Sequence, residues 1–320
     1  MENIRWAVCG LGGISHTFMR AIKKVEGASV VACVSSSKER AEAYKQKYKL
    51  EAAYTYDELL TAKDIDAVYV CTNMNVHSKN AIAFLNAGFP VLCEKALATT
   101  VQEAEAMFAA ARAANVPLME AMWTRFLPCT EKLLEVVNSK KLGEIRKMSG
   151  VMNNIFPKNH RVFDVNRGGG TMLDMMVYNV SYAHFLKGVP QKVEARGEVR
   201  NGVDVTCDLD LTYPDGAVAC LESSSVPKAF KFRFEIRLEK GKIVIPHFHW
   251  GTGFKVYGNG KRAATEKYRF KFPNFTYEIK HFNNLLKTKQ TESPLRSPQD
   301  TLEVMSILEE ANNQLGVTFP

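Results

Sequence analysis

The sequence predicts an α/β protein: an N-terminal doubly wound parallel sheet, followed by a C-terminal part with a second sheet. Strand-like and helix-like segments alternate over the first 120 residues, which is typical of a parallel sheet with right-handed crossovers. Many strand-like segments lie between residues 190 and 272, as in an antiparallel meander. At 320 residues the chain is also long for a single hydrophobic core.

The N-terminal part follows a regular order. The strand IRWAVCG precedes a helical pattern over residues 14–24, and the strand SVVACVS precedes the charged helix KERAEAYKQKY. The strands AVYVCT and FPVLCE flank the helix VHSKNAIAFLNAG, in which Gly88 is a typical C-terminal stop. The helix VQEAEAMFAAARAAN and the strand VPLMEA complete the series. We expect this first domain to span residues 1–122.

The order of elements changes after residue 122. The strand EIRKMSGVMN leads into an irregular stretch, three glycines and an apolar helix, and the strand-like segments follow. Further helical patterns occupy residues 128–139, 275–287 and 298–314. We expect a second domain over residues 123–320, with a last helix that can pack back on the first domain.

The composition argues against several classes of protein. The formal charge of +8 is spread along both halves, and KFRFEIRL alternates charged with apolar residues as a half-buried strand does. A nucleic-acid groove is therefore not predicted. The first residues do not resemble an export signal, and no apolar run reaches the roughly 18 residues of a membrane span. A cytoplasmic location is the simplest expectation.

The cysteines and histidines do not form a metal-binding pattern. The seven cysteines include no CxxC pair, and those at positions 9, 33, 71 and 93 fall near the ends of predicted strands, as small buried residues do. The seven histidines are scattered along the chain. We expect reduced thiols and no bound metal.

A glycine-rich turn, VCGLGGIS, joins the first strand to the first helix. Gly10 permits a tight turn, and Gly12 lets the backbone approach a pyrophosphate at the helix N-terminus. The third position of the GxGxxG pattern is Ser15, which is small enough for helix–strand packing. Gly13 and Ile14 complete the turn. Because the motif lies between a strand and a helix in a βαβ series, it predicts a dinucleotide site.

The end of the second strand predicts which dinucleotide binds. An NAD site usually has an acidic residue here, which holds the ribose 2′-hydroxyl. This sequence has Ser35, Ser36, Ser37 and Lys38, with Arg40 nearby. Hydroxyls and cations suit a 2′-phosphate, although Lys38 and Arg40 could also be solvated helix residues. The sequence therefore favours NADP, with NAD still possible.

Two opposite charges, Glu94 and Lys95, end the apolar strand that runs through VLC. An unpaired charge inside protein is costly, whereas ligands of a doubly wound sheet bind beyond the carboxyl ends of its strands. We expect both residues to face the cofactor, where Lys95 would bind a substrate oxygen and assist proton transfer. The alternative is a strand-end ion pair. Thr72, Asn73 and His77, which follow another strand, are also expected to bind the cofactor.

An acid and a phenol share one face of the helix that follows GGG. Asp174 and Tyr178 are four residues apart in GGGTMLDMMVYNVSYAHFL, and both are costly to bury without a partner. A phenol has an ordinary pKa of about 10, so Tyr178 would need a nearby cation to act as a base. Lys95 could be that cation. The alternative is a core tyrosine with a satisfied hydroxyl.

The segments AVCGLGGIS, VYVCTNMNVHSKNAIAFLNAGFPVLCEKALA and GGGTMLDMMVY resemble the glucose–fructose oxidoreductase, inositol dehydrogenase and rhizopine-catabolism (Gfo/Idh/MocA) family. The resemblance covers essentially the whole chain. It implies an N-terminal Rossmann domain and a C-terminal α/β domain with an open, mostly antiparallel sheet. The family's glutamate–lysine–proline motif implies a catalytic Lys95. Ala96 replaces the proline, which leaves the backbone turn after Lys95 open.

Tyr178 stands where many family members have histidine. Together with MEAMWTRFLP, it resembles the branch of dimeric dihydrodiol dehydrogenases, also described as NADP-dependent D-xylose dehydrogenases. This branch implies Lys95 and Tyr178 as the catalytic pair. The residues expected to line the substrate pocket are Trp123, Arg125, Phe126 and Phe156, with interdomain packing as the alternative role.

The sequence thus predicts an NADP-dependent oxidoreductase that transfers a hydride between nicotinamide and a secondary alcohol or hemiacetal carbon of a sugar, polyol or cyclic trans-diol. Lys95 would lower the pKa of Tyr178, which would then take the proton of the substrate hydroxyl. Asp174 would hold the substrate or orient Lys95 and Tyr178. Lys95 as the proton carrier is the alternative mechanism. A non-catalytic NADP-binding sensor and a reductase of a larger conjugated substrate are the alternative functions.

The second domain is expected to bind substrate and to mediate oligomerisation. Its segments VTCDLDLTY and AVACLESSS mix apolar and polar residues on both faces of the sheet. A broad, partly apolar sheet face is usually covered, most often in a two-fold dimer. Members of the family often associate through this sheet. We therefore expect a homodimer or a higher homo-oligomer.

Overall fold

The computed structural model describes residues 3–258, 260, 264–270 and 275–320. The chain divides into two compact units, Met1–Trp123 with Asn274–Leu302, and Thr124–Pro273 with Glu303–Pro320. The first break lies next to the predicted boundary at residue 122, but the segment up to Leu302 groups with the first unit. Assigning cofactor binding to residues 1–122 and substrate binding to residues 123–320 stays a prediction.

The first unit is built around a six-stranded parallel sheet. Its strands are β1 (Ile4–Cys9), β2 (Ala28–Val34), β3 (Ala52–Tyr54), β4 (Ala67–Val70), β5 (Val91–Glu94) and β6 (Leu118–Ala121). The connecting helices are α1 (Gly13–Ile22), α2 (Lys38–Tyr48), α3 (Tyr56–Leu59), α4 (His77–Asn86) and α5 (Val101–Ala114). The strand order is β3-β2-β1-β4-β5-β6. The order reverses between β1 and β4, and ligands of such sheets bind at that point, beyond the carboxyl ends.

The second unit contains an eight-stranded sheet. Its helices are α6 (Pro128–Asn138) and α7 (Val177–Lys187), and its strands are β7 (Ile145–Asn153), β8 (Lys192–Arg200), β9 (Val203–Thr212), β10 (Val218–Ser224), β11 (Lys231–Leu238), β12 (Gly241–Pro246), β13 (Gly253–Gly258) and β14 (Glu266–Arg269). The order is β14-β13-β12-β11-β7-β10-β9-β8. The predicted meander is interrupted because β7, from earlier in the chain, lies between β10 and β11 and pairs with β10 in parallel.

Two helices close the chain, α8 (Thr276–Thr288) and α9 (Pro298–Leu315). In the first unit, α8 packs on the sheet beside the fully buried Trp6. The Trp6 ring lies 5.3 Å from that of Phe282 and donates its Nε1–H to Asn283 over 3.2 Å. None of the helices in the described ranges combines the length and apolar character needed to cross a membrane.

Helix α7 covers one face of the second sheet. The Tyr182 ring lies 5.3 Å from that of Phe234 on β11, and the Tyr182 hydroxyl donates to the carbonyl of Phe248. Asn179 donates to the carbonyl of Glu222 and to the Ser223 hydroxyl on β10, both over 3.2 Å. These contacts fix the helix that carries Tyr178. The predicted fold class, a parallel sheet followed by a mostly antiparallel one, is confirmed.

Candidate active site

The glycine turn after β1 has the shape that a dinucleotide pyrophosphate requires. Gly10 has φ +99°, and a Cβ there would lie 2.6 Å from the backbone of Cys71 and Thr72, so no other residue fits. Gly12 and Gly13 have open space around them, and no side chain caps the N-terminus of α1. The Ser15 hydroxyl donates to the Gly12 carbonyl over 2.6 Å and holds the turn. Uncapped N–H groups beside open space suit a phosphate anion.

The residues after β2 divide into two groups. The Lys38 ammonium donates to the Ala53 carbonyl over 2.9 Å and pairs with Glu58 over 2.6 Å. The Arg40 guanidinium instead donates to the exposed Ser36 hydroxyl over 3.0 Å. Arg40 and Ser36 therefore form the more available donor pair for a 2′-phosphate. Ser35 and Ser37 accept backbone N–H groups within the same turn.

Glu94 lies inside the first unit rather than in solvent. It is 8% exposed, and its Oε1 accepts the hydroxyl of the buried Tyr69 over 2.5 Å. Its Oε2 accepts the backbone N–H of Lys95 over 3.3 Å. Glu94 thus fixes the backbone at the point where Lys95 leaves the sheet.

His77 joins the turns that follow β4 and β5. It is 2% exposed, with one ring nitrogen 3.2 Å from the carbonyl oxygen of Thr72 and the other 3.3 Å from that of Ala96. The Lys95–Ala96 peptide bond is cis. Leu97 donates its N–H to Glu120 over 3.2 Å. The backbone around Lys95 is therefore held on both sides.

Glu278, on α8, is a buried acid that the sequence did not suggest. It is fully buried, and neither carboxyl oxygen has a hydrogen-bond partner among the residues that the structure describes. Burial raises the pKa of Glu278 well above its ordinary value, and the charge of Glu94 raises it further. Burial therefore favours the protonated carboxyl of Glu278 over the carboxylate in the folded protein.

Replacing Glu278 by glutamine is expected to stabilise the protein above about pH 5. The native state holds a proton that the unfolded chain releases, so wild-type stability falls by about 1.4 kcal/mol per pH unit from the ordinary carboxyl pKa up to the raised one. Glutamine has no charge in either state and removes this loss. Urea unfolding at pH 4 and pH 8 measures the free energy of unfolding of both proteins. Glu278→Gln should be more stable than wild type at pH 8, and the two should be equally stable at pH 4.

The matched control is Glu105→Gln, because Glu105 is an exposed residue of α5. This control should change stability little at either pH. Equal stability of wild type and Glu278→Gln at pH 8 would show that Glu278 does not carry a buried proton.

Asp174 and Tyr178 both belong to the second unit. Residues Met172–Met176 form a π-helical turn that continues directly into α7. Asp174 is 7% exposed and Tyr178 is 9% exposed. Asp174 lies in the π-helical turn and Tyr178 in α7, so the expected shared helical face of these two residues stays a prediction. π-Helical turns occur frequently at functional sites, and the sequence periodicity gave no sign of this one.

A short segment before this helix supplies a cation to Asp174. Arg161 Nη2 donates to Asp174 Oδ1 over 2.6 Å. The preceding His160 is stacked by Phe156, with ring centroids 4.5 Å apart. Burial lowers the pKa of His160, Asp174 raises it and Arg161 lowers it. Phe156, His160, Arg161 and Asp174 therefore form one cluster, of which the sequence analysis found only Phe156 and Asp174.

Asp204, at the start of β9, holds the N-terminal end of the helical segment that begins at Met172. Its Oδ2 accepts the N–H of Met172 over 2.7 Å. A Cβ at Gly170, which has φ +123°, would overlap Asp204 Oδ1. Burial raises the pKa of Asp204 to about 7. The glycine before the helix is thus explained by close approach of a buried carboxyl.

The remaining predicted pocket residues are divided between the units. Trp123, in the first unit, lies 5.5 Å from the ring of Phe275. Arg125 and Phe126 belong to the second unit, where the Arg125 guanidinium lies 4.5 Å from the centre of the Phe185 ring. Their role in substrate binding stays a prediction.

Comparison with known proteins identifies both parts of the chain. A family model described as "Oxidoreductase family, NAD-binding Rossmann fold" (GFO_IDH_MocA) matches residues 4–122. A second model, "GFO/IDH/MocA C-terminal domain", matches residues 130–244.

Curated relatives match over nearly the full chain. A trans-1,2-dihydrobenzene-1,2-diol dehydrogenase from Xenopus laevis is 33% identical, with 99% of each chain covered. A scyllo-inositol 2-dehydrogenase (NADP(+)) from Bacillus subtilis is 30% identical, covering 99% of this chain and 98% of the relative. A solved aldose–aldose oxidoreductase from Caulobacter crescentus shares the fold at 23% identity, with a TM-score of 0.88 over 98% of this chain and 97% of that chain.

Proposed function

The chain belongs to the Gfo/Idh/MocA family of oxidoreductases with an NAD-binding Rossmann fold, and from this premise we propose that it oxidises a polyol, sugar or cyclic trans-diol with NADP. The observation that carries the proposal is Lys95 at the carboxyl end of β5, in a backbone held by Glu94 and His77. The relatives named for diol and inositol dehydrogenation support the substrate class.

The proposed chemistry gives each residue of the chain a role. The nicotinamide, when bound, accepts or donates the hydride. Tyr178 takes the proton from the substrate hydroxyl, and the Lys95 ammonium stabilises the phenolate that makes this transfer possible. Asp174 holds or orients the substrate. The turn at Gly10, Gly12 and Gly13 binds the pyrophosphate.

A panel of substrates tests this function. Sugars, inositols and cyclic diols are assayed with NADP and with NAD by absorbance of the reduced nicotinamide. We expect turnover of at least one small polyol or diol with NADP. Binding of NADPH without turnover of any of these substrates would instead indicate a non-catalytic NADP-binding sensor. Turnover of a large conjugated substrate alone would indicate a reductase of such substrates.

We expect NADPH to bind more tightly than NADH, by about 10- to 100-fold, through one charge-assisted phosphate site. Arg40 and Ser36 are the proposed donors because they are exposed and bonded to each other, whereas Lys38 pairs with Glu58. Replacing Arg40 by alanine should weaken NADPH binding and leave NADH binding unchanged. Fluorescence titration of both cofactors measures the two affinities.

Ser36→Asp is the complementary variant, because a carboxylate at the end of β2 repels the phosphate and accepts from the ribose 2′-hydroxyl. This change should shift the preference toward NADH. Lys38→Ala is the matched control and should affect the preference less than Arg40→Ala. Equal or tighter binding of NADH by the wild type would defeat the proposed NADP preference.

We further propose a homodimer that forms through the sheet face opposite α7. On this face, Val151 of β7 lies in register with Arg233 of β11 on one side and with Glu222 of β10 on the other. Glu222 is also in register with Asp208 of β9. Burial raises the pKa of Asp208, and the like charge of Glu222 adds to it. A partner that supplies a cation would relieve this repulsion. Light scattering at micromolar concentration should give about twice 35.9 kDa or a higher multiple, and a mass near 35.9 kDa would exclude the assembly.

A cytoplasmic location is also proposed. The seven cysteines are all free thiols, as in a reducing compartment.

A further inference from the structure

The guanidinium of Arg161 has a donor that the protein does not satisfy. Nη2 donates to Asp174, but Nη1 is buried and has no acceptor among the described residues. Buried donors are nearly always paired, because an unpaired charged N–H group costs free energy. A ligand oxygen is the partner that the site lacks.

The backbone of Arg161 is fixed against the helix that carries Asp174 and Tyr178. Gly170 donates its N–H to the Val162 carbonyl over 2.8 Å, and Gly169 donates to the Asp164 carbonyl over 2.9 Å. A Cβ at Gly169 would overlap the carbonyl oxygen of Arg161. The short turn that bears Arg161 and the glycines that begin the helix therefore pack backbone to backbone. Such packing holds a donor in place before a ligand arrives.

The charge of the pair selects the kind of oxygen. Asp174 lies 2.6 Å from Arg161 and neutralises it. An anionic group placed on Nη1 would meet the Asp174 carboxylate as well, whereas a hydroxyl or ether oxygen would only accept the hydrogen bond. The pair thus favours a neutral oxygen over a carboxylate or a phosphate.

We propose that Arg161 Nη1 donates to a neutral substrate oxygen on the carbon next to the one that is oxidised. This inference rests on the proposed function, in which Tyr178, one helical turn from Asp174, binds the reacting hydroxyl. It makes Arg161 a specificity-determining residue for vicinal diols. Simple secondary alcohols lack the second oxygen and leave Nη1 without a partner.

The test compares trans-cyclohexane-1,2-diol with cyclohexanol, which has the same ring and one hydroxyl fewer. For the wild type, kcat/KM should favour the diol by about 10- to 100-fold. Arg161→Met should lower kcat/KM for the diol by about the same factor and change that for cyclohexanol by less than about threefold. Arg161→Lys, which keeps a cation beside Asp174, should retain an intermediate preference.

Unchanged NADPH affinity and circular dichroism establish that a variant is folded. If Arg161→Met fails this check, the ratio of kcat/KM for the diol to that for cyclohexanol is read from Arg161→Lys. Turnover by the wild type with an equal loss for both substrates, or with the diol preference intact in the variants, would overturn the role of Arg161 and leave the proposed function standing. A preference for trans-2-hydroxycyclohexanecarboxylate over the diol would overturn the selection of a neutral oxygen. A wild type that turns over neither the substrate panel nor this pair would refute the proposed function itself, and the role of Arg161 with it.

Discussion

Replacing Lys95 by alanine or Tyr178 by phenylalanine is expected to lower kcat by about 10²- to 10⁴-fold, the range for removal of a general acid or base. The loss should be far larger than any change in NADP affinity, because both side chains are proposed to act at the reacting carbon. The measurement is steady-state kinetics with the best substrate of the panel, beside a fluorescence titration with NADPH.

Two matched variants separate chemistry from folding. Lys79→Ala removes an exposed lysine of α4, and Tyr182→Phe removes the hydroxyl of the next tyrosine on α7, which donates to Phe248. Both should retain kcat within about threefold. Near-normal turnover in Lys95→Ala and Tyr178→Phe would remove the proposed mechanism. A large loss in Lys95→Ala alone would favour Lys95 as the proton carrier.

Local signals in the sequence were enough to predict the first sheet and the glycine turn after β1. Each apolar strand, the glycine turn and the charged pair at Glu94 and Lys95 is a signal made of residues that are neighbours in the sequence. The glycine requirement at Gly10 has a cause that the sequence could not display, since the backbone that excludes a Cβ belongs to Cys71 and Thr72. The glycine turn predicted the strand–turn–helix unit because a side chain at Gly10 would collide with this backbone.

The parts that the sequence did not predict depend on contacts between distant segments. Arg161 reaches Asp174 only because a short turn packs on the glycines before the helix. Asp204 meets Gly170 although helix α7 and strand β8 lie between them in the chain. Glu278 comes from α8, which returns to the first unit late in the chain. No periodicity or local motif identifies such partners, even where they are only 13 residues apart, as Arg161 and Asp174 are.

Breaking the pair Arg296–Glu120, whose members are 176 residues apart, is expected to cause the second large effect, a loss of stability against unfolding. Both side chains are 1% exposed, and the guanidinium donates twice to Glu120 Oε2, over 2.8 and 2.5 Å. Replacing Arg296 by methionine leaves the Glu120 carboxylate buried without its cation. Breaking one partner of a buried pair costs about 3–5 kcal/mol. Urea unfolding followed by tryptophan fluorescence should report this loss, since Trp6 and Trp123 belong to the same unit.

The double variant Arg296→Met, Glu120→Gln decides whether the uncompensated charge causes the loss. It removes both charges and keeps an amide oxygen that can accept the N–H of Leu97, which Glu120 accepts in the wild type. Because an apolar or neutral replacement of a whole buried pair is often close to neutral, the double variant should recover most of the stability that Arg296→Met loses. A double variant as unstable as the single one would show that packing around Arg296, rather than charge, holds this segment. A single variant that loses less than about 1 kcal/mol would show that water reaches Glu120 despite its burial.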